Sequence, residues 1–238
     1  MTQDETKVLV QKLYKRIRDC KGIDNCPGKS SPYPIVLPND EQVEIMVITE
    51  QPNKTVRKIP ESEICERLAT STSKKYASVE LREYLGDEFA NSIYFRHGKY
   101  YWTHLIKCPG QIREKRENEK VDKEVCANTY LFEEIFKLRP KLILSFGAHP
   151  SEWILCHSSL DKKDWQDYVW EEIRHVVKGD FKAQKMEERL YEIAKETCIE
   201  AEDGKEKHET KVCFFFHPSG RNATGRYINR KIFKALKG

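Results

Sequence analysis

Val43-Glu-Ile-Met-Val-Ile48 runs directly into Thr49-Glu50-Gln51-Pro52-Asn53, and far along the chain Val212-Cys-Phe-Phe-Phe216 runs into His217-Pro218-Ser219-Gly220-Arg221-Asn222. Each is a short, mostly apolar run that stops at a polar motif. Continuous apolar runs suit strands buried on both faces of a parallel sheet, whereas half-buried strands alternate. In such sheets ligand chemistry collects in the crevice beyond the carboxyl ends of the strands. The two polar motifs are therefore expected to share one cleft.

Strands and helices alternate on either side of these runs, which predicts a three-layer α/β/α fold with a central, mainly parallel four-stranded sheet. A helix over 6–18 precedes the first strand, and helical patterns at 61–68 and 78–89 follow it. An aromatic strand spans 100–107, where Tyr100 to Trp102 can serve simply as packing. A mostly charged loop covers 111–120, and a helix from about Lys123 ends at Pro140 before a strand over 141–147. Pro150 suits the first position of the next helix. A charged helical insertion at 161–207 precedes the last strand, and a basic amphipathic helix over 225–237 closes the chain. Repeats and low-complexity linkers are absent, so residues 1–238 read as a single domain.

At 238 residues and 39% hydrophobic content, the chain can bury a sizeable core. Charged residues make up 34% but the net charge is only +4, so affinity for a polyanion has to come from a local basic patch. No apolar run approaches the roughly 20 residues a membrane span needs, and Met1 to Lys7 is too polar for a secretory signal. These features predict a cytoplasmic protein without membrane contact. In a reducing compartment the eight cysteines stay reduced and sort by environment. Cys65, Cys156, Cys198 and Cys213 lie on apolar patterns and read as buried thiols. Cys20 and Cys26 instead close a short Gly- and Asn-containing loop, and Cys108 and Cys126 bracket the charged loop.

Taken in order, these motifs resemble the uracil-DNA glycosylase superfamily, and most of all its iron-sulfur family 4. Thr49-Glu50-Gln51-Pro52-Asn53 stands where that family has Gly-Glu-Ala-Pro-Gly, with the Gln closer to the turn of the family's cross-linking relatives. His104-Leu-Ile-Lys107-Cys108 is similar to its Asn-Val-Val-Lys-Cys strand end, and Cys126-Ala-Asn-Thr-Tyr-Leu131 to its next helix. Arg139-Pro-Lys-Leu-Ile-Leu-Ser-Phe-Gly147 resembles its Pro-Lys-strand-Leu-Gly signature, and His217-Pro-Ser-Gly-Arg-Asn222 its closing motif.

The resemblance implies a monofunctional DNA glycosylase that removes uracil or another deaminated base from DNA for base excision repair, acting as a monomer. It also implies a structural [4Fe-4S] cluster on Cys20, Cys26, Cys108 and Cys126, although the spacing of Cys20 and Cys26 is wider than the family's CxxC. Four thiolates from separate segments also suit a zinc ion, the alternative that the missing direct CxxC pair weakens. Two further departures bear on the base. His104 replaces the family's uracil-reading Asn, and the Phe that stacks on uracil is missing, with Tyr76 in roughly the corresponding segment.

Glycosidic cleavage leaves an oxocarbenium-like sugar and an anionic base, so charge has to be stabilised on both sides. A neutral His217 donating to the departing base is the candidate for one side, although a His before Pro can equally hydrogen-bond its own loop. Glu50 is the candidate for the other, orienting water or facing the cationic sugar. Gln51 can position water but cannot act as a base, and Asn53 adds a side chain where the base is expected to approach. The candidate DNA contacts are Ser219, Arg221, Asn222 and Arg226, with Lys54, Arg57, Arg113, Lys115 and Arg116 as a basic rim. Two rival classes remain: a catalytically weak or inactive glycosylase-like module that binds DNA or a protein partner, and a zinc-stabilised hydrolase of small nucleotides.

Overall fold

The computed structural model describes residues 3–20, 43–73, 76–95, 98–109, 124–179, 185–201, 203–218 and 222–238. Helix α1 (Gln3–Arg18) precedes strand β1 (Ile45–Thr49). A short 3-10 helix (Lys54–Lys58), α2 (Glu61–Thr70), α3 (Ala77–Leu85) and α4 (Asp87–Phe95) lead to β2 (Tyr100–His104). A π-helical turn (Ala127–Leu131) runs into α5 (Phe132–Leu138), followed by β3 (Leu142–Phe146) and α6 (Ala148–Cys156). The chain ends with α7 (Trp165–Lys178), α8 (Met186–Ile193), β4 (Lys195–Glu200), β5 (Lys207–Phe215) and α9 (Ala223–Lys237).

The sheet order is β2-β1-β3-β5-β4. β1 pairs in parallel with β2 and β3, and β3 in parallel with β5. Every residue of β1, β2 and β3 is buried, which is what their near-continuous apolar sequences call for. The mainly parallel α/β architecture is as expected, with one strand more than the four expected. β4 lies inside the insertion read as helical, and it pairs antiparallel with β5 as an edge strand. Its sequence, Lys-Glu-Thr-Cys-Ile-Glu, buries only Thr197 and Ile199 and is charged at both ends, the composition of an edge strand.

A second difference is at Gly86. The single helix expected over 78–89 breaks there into α3 and α4, because the chain turns with φ at 80°, a region an L side chain rarely adopts. Pro150 falls in the first turn of α6 rather than at its first residue, where its missing N–H still leaves no bond unmade. Among the described residues, no helix is long and apolar enough to cross a membrane.

The two faces of the sheet carry different contents. On one, Tyr84 of α3, Phe146, Phe215 and Phe233 of α9 pack ring on ring, and Phe89 of α4 packs against Tyr100 and Trp102. On the other, Tyr101 and Thr103 point to Glu134 of α5. Tyr101 donates to Glu134 at 2.6 Å and Thr103 at 3.0 Å, while Lys107 Nζ donates to Glu134 at 2.6 Å, Thr103 Oγ1 at 2.7 Å and the His104 carbonyl at 2.6 Å. Both charges are fully buried, and such a pair is sustained only when each partner is saturated with hydrogen bonds.

Lys107→Met leaves the Glu134 carboxylate buried with only hydroxyl donors, so it is expected to lower unfolding free energy by about 3–5 kcal/mol in urea titration. The double change Lys107→Met with Glu134→Leu is expected to recover most of that loss. A single variant as stable as the wild type would contradict a dry, mutually dependent pair.

Candidate functional site

The four parallel strands end at one edge of the sheet, and the polar motifs follow them there. Register places Thr49 of β1 opposite His104 of β2. Trp102 Nε1–H donates to Thr49 Oγ1 at 3.0 Å, and Thr49 Oγ1 lies 2.6 Å from His104 Nδ1. The indole only donates, and of the two acceptors near the hydroxyl, His104 Nδ1 at 2.6 Å and the Thr103 carbonyl at 3.5 Å, the nearer takes its hydrogen, which assigns the proton of His104 to Nε2. That Nε2 is buried and has no hydrogen-bond partner among the described residues. Burial first, then the charges of Lys107 and His217, hold its pKa well below the ordinary histidine value. His104 is therefore a neutral donor facing an unfilled hydrogen bond, and it lies near His217.

Backbone pairing continues past the strand ends, with Leu105 N–H donating to the Thr49 carbonyl at 2.8 Å and Ile106 N–H to that of Glu50 at 2.9 Å. This fixes Glu50, whose Oε1 lies 2.9 Å from Nδ1 of His149 in the first turn of α6. Gln51, half-buried, presents a buried Oε1 with no hydrogen-bond partner among the described residues. Asn53 braces its own loop, its Oδ1 capping the 3-10 helix by accepting from Thr55 N–H and Thr55 Oγ1, both at 3.0 Å.

On the other side of the cleft β5 is held three ways near its end. Glu172 Oε1 accepts from Phe214 N–H at 2.9 Å, and Gly147 N–H donates to the Phe215 carbonyl at 2.8 Å. Buried Asn229 of α9 accepts from Phe216 N–H at 3.1 Å and donates to its carbonyl at 2.7 Å. These bonds aim His217, which packs on Gly147. A Cβ on Gly147 would lie 3.2 Å from the His217 Cβ and Cδ2, and φ there is 106°, so both space and backbone call for glycine. Asn222 caps α9, its Oδ1 accepting from Gly225 N–H at 2.9 Å.

The structure thus brings Glu50, Gln51, His104 and His217 to one edge. Tyr76 caps the start of α3, partly buried and packed against the main core. Arg226 is drawn inward: with Arg230 it binds the buried Glu80 carboxylate, each at 2.9 Å, and ties α9 to α3. An ion pair with a buried carboxylate thus engages Nη1 of its guanidinium. Ser219, Arg221, Arg113, Lys115 and Arg116 lie outside the described residues, as do the side chains of Lys54 and Arg57.

Three of the four cysteines proposed for a cluster are described, and Cys26 is not. Cys20 and Cys126 join Leu13, Ile17, Ile106 and Tyr130 in a small separate core, with Cys108 buried two residues after Ile106. Lys107 N–H donates to Cys126 Sγ at 3.4 Å, the kind of bond that stabilises a thiolate ligand. Burial, then Cys20 and Cys126, push the Tyr130 phenol well above its ordinary value. Soft donors on adjoining segments with a backbone donor at sulfur fit a cluster or a zinc ion, though among the described residues no three metal-ligating side chains are drawn together. Of the four cysteines expected to be buried, Cys65 and Cys213 are, while Cys198 is half-buried and Cys156 exposed.

Sequence reasoning missed Asn229 and His149. Asn229 had a signal: a lone amide at a core-facing position of an amphipathic helix, beside Ile232, Phe233 and Leu236. His149 had none, since its pairing with Glu50 exists only once β1 and β3 are neighbours. The chain matches no family model and no curated protein.

The neutral state of His104 has a measurable consequence. Above about pH 6.5 the ring is uncharged in both folded and unfolded chains; below it the unfolded chain takes up a proton that the folded site refuses. Unfolding free energy should therefore fall as pH drops below 6.5, by up to about 1.4 kcal/mol per pH unit from this ring. His208, also held low mainly by burial, adds in the same direction. In urea titrations at pH 7, 6 and 5, His104→Gln is expected to have a shallower slope than the wild type; identical slopes would mean that His104 protonates normally.

Proposed function

We propose that the protein is a DNA glycosylase that hydrolyses the N-glycosidic bond of uracil or another deaminated base, as a step of base excision repair. The observation that carries this reading is the buried Nε2 of neutral His104 at the carboxyl edge of the sheet, which has no hydrogen-bond partner among the described residues. A buried donor without a partner is costly to fold around unless a ligand completes it. Gln51 Oε1, on the motif beside it, is a buried acceptor in the same condition. A donor with an acceptor suits a carbonyl next to a ring N–H. That edge is what deamination creates, since the parent base carries an amino group next to a bare ring nitrogen.

In this reading the nucleotide flips out of the duplex, at a cost of a few kcal/mol, and its edge meets His104 and Gln51. As the C1′–N bond breaks, its electron pair leaves with the base, and His217 donates a hydrogen bond to the oxygen where that charge gathers. Glu50 faces the cationic sugar, water adds to C1′, and the proton it gives up passes to the departing base anion, leaving a neutral base and a 1′-hydroxyl. Cys20, Cys26, Cys108 and Cys126 would hold a [4Fe-4S] cluster, or zinc, as a brace for the segments around the site. DNA is the proposed macromolecular partner. The exposed residues of α9 offer it Lys231, Lys234 and Lys237, with Lys231 lying 4.5 Å over the Tyr227 ring.

The test is anaerobically purified protein incubated with oligonucleotides carrying uracil, hypoxanthine or xanthine, followed by alkaline cleavage at abasic sites. Cleavage of at least one is expected, with His217→Ala slower by about 10²–10³-fold in single turnover while DNA binding persists. DNA binding without any cleavage would assign the chain to the binding-module class instead.

A further inference from the structure

Glu50 is the one carboxylate of its motif, and it stands beside a histidine that the proposed chemistry does not use. His149 Nδ1 lies 2.9 Å from Glu50 Oε1. A carboxylate has no hydrogen to give, so the hydrogen lies on Nδ1, whether the ring is neutral or charged. The two residues meet because β1 and β3 are adjacent parallel strands and the chain turns at Gly147 from β3 straight into α6. His149 thus projects from the first turn of a helix whose start is fixed by the φ of 106° at Gly147 and by the ring of Pro150.

We propose that His149 is the positioning residue of Glu50, holding one carboxylate oxygen so that the group stays directed at the sugar carbon. This rests on the glycosylase reading for what Glu50 does, but not for the contact itself. Glu50 retains 26% of its side-chain exposure and His149 44%. At such exposure an ion pair contributes little to stability, so its consequence is orientation. An unheld glutamate on the cleft rim would exchange rotamers and hydrating waters, and charge stabilisation depends on a group already in place when the cation forms. The imidazole supplies that restraint from a rigid helix start, in the way an outer residue fixes a ligand or base through a single hydrogen bond.

On the base the wild type excises, His149→Ala is expected to lower the single-turnover rate by about 10–100-fold while DNA affinity stays within about twofold. His149→Asn, whose amide nitrogen can stand where Nδ1 stood, is expected to restore most of that rate. An unchanged rate in His149→Ala, or a loss that Asn does not recover, would overturn the proposal. A second measurement is independent of turnover: side-chain 15N spectra of the intact protein should show His149 protonated on Nδ1, reverting to mainly Nε2–H in Glu50→Ala. Nδ1 unprotonated in the wild type would remove the contact, whereas failure of the wild type to excise any base would refute the glycosylase reading and leave this spectrum to judge the contact.

Discussion

Parallel pairing of β1 with strands on both sides is the constraint from which the site follows. It sets Thr49 level with His104 and Ile48 level with Ser145, so the motifs after β1, β2 and β3 emerge together at one edge, with that of β5 beside them. A slip of one residue between β1 and β2 would turn Thr49 to the opposite face. The hydroxyl that accepts from Trp102 and donates to His104 would then be lost to both. Register is defended from below by the buried aromatic face and by the Lys107–Glu134 network, which reads Tyr101 and Thr103 on alternate residues of β2.

Charge is partitioned around this edge. Lys107 and Glu134 neutralise each other in the core, and Glu80 is matched by Arg226 and Arg230 between α3 and α9. Burial pushes the Glu172 carboxyl well above the usual range, and its Oε1 anchors Phe214 N–H. His104 is neutral. It can thus act as an oriented dipole near the carboxylate of Glu50, which suits a reaction that separates charge between sugar and base.

The strands and their polar ends were legible in the sequence because continuous apolar runs are a local signal, and so were α1, α2 and α9, which have strong helical periodicity. What escaped depended on distant partners or on one backbone angle. Gly86 divides a helix through its φ, and β4 is a strand only because β5 offers it an edge. Asn53 and Asn222 sit in functional-looking motifs but spend their side-chain oxygens on caps. Arg226 looked like a surface cation until α3 brought Glu80 beneath it. Glu50 was legible as a residue, and its bond to His149 was not.

The most direct test of the central claim varies only the edge of the base presented to His104 and Gln51. Single-turnover excision would be measured on one oligonucleotide carrying, in turn, a deaminated base, its amino parent and the same deaminated base methylated on the ring N–H. A site that donates to the carbonyl and accepts from the ring N–H should release the first and spare the other two. Equal release of all three, or release of the methylated base as fast as the unmethylated one, would contradict base reading by this pair.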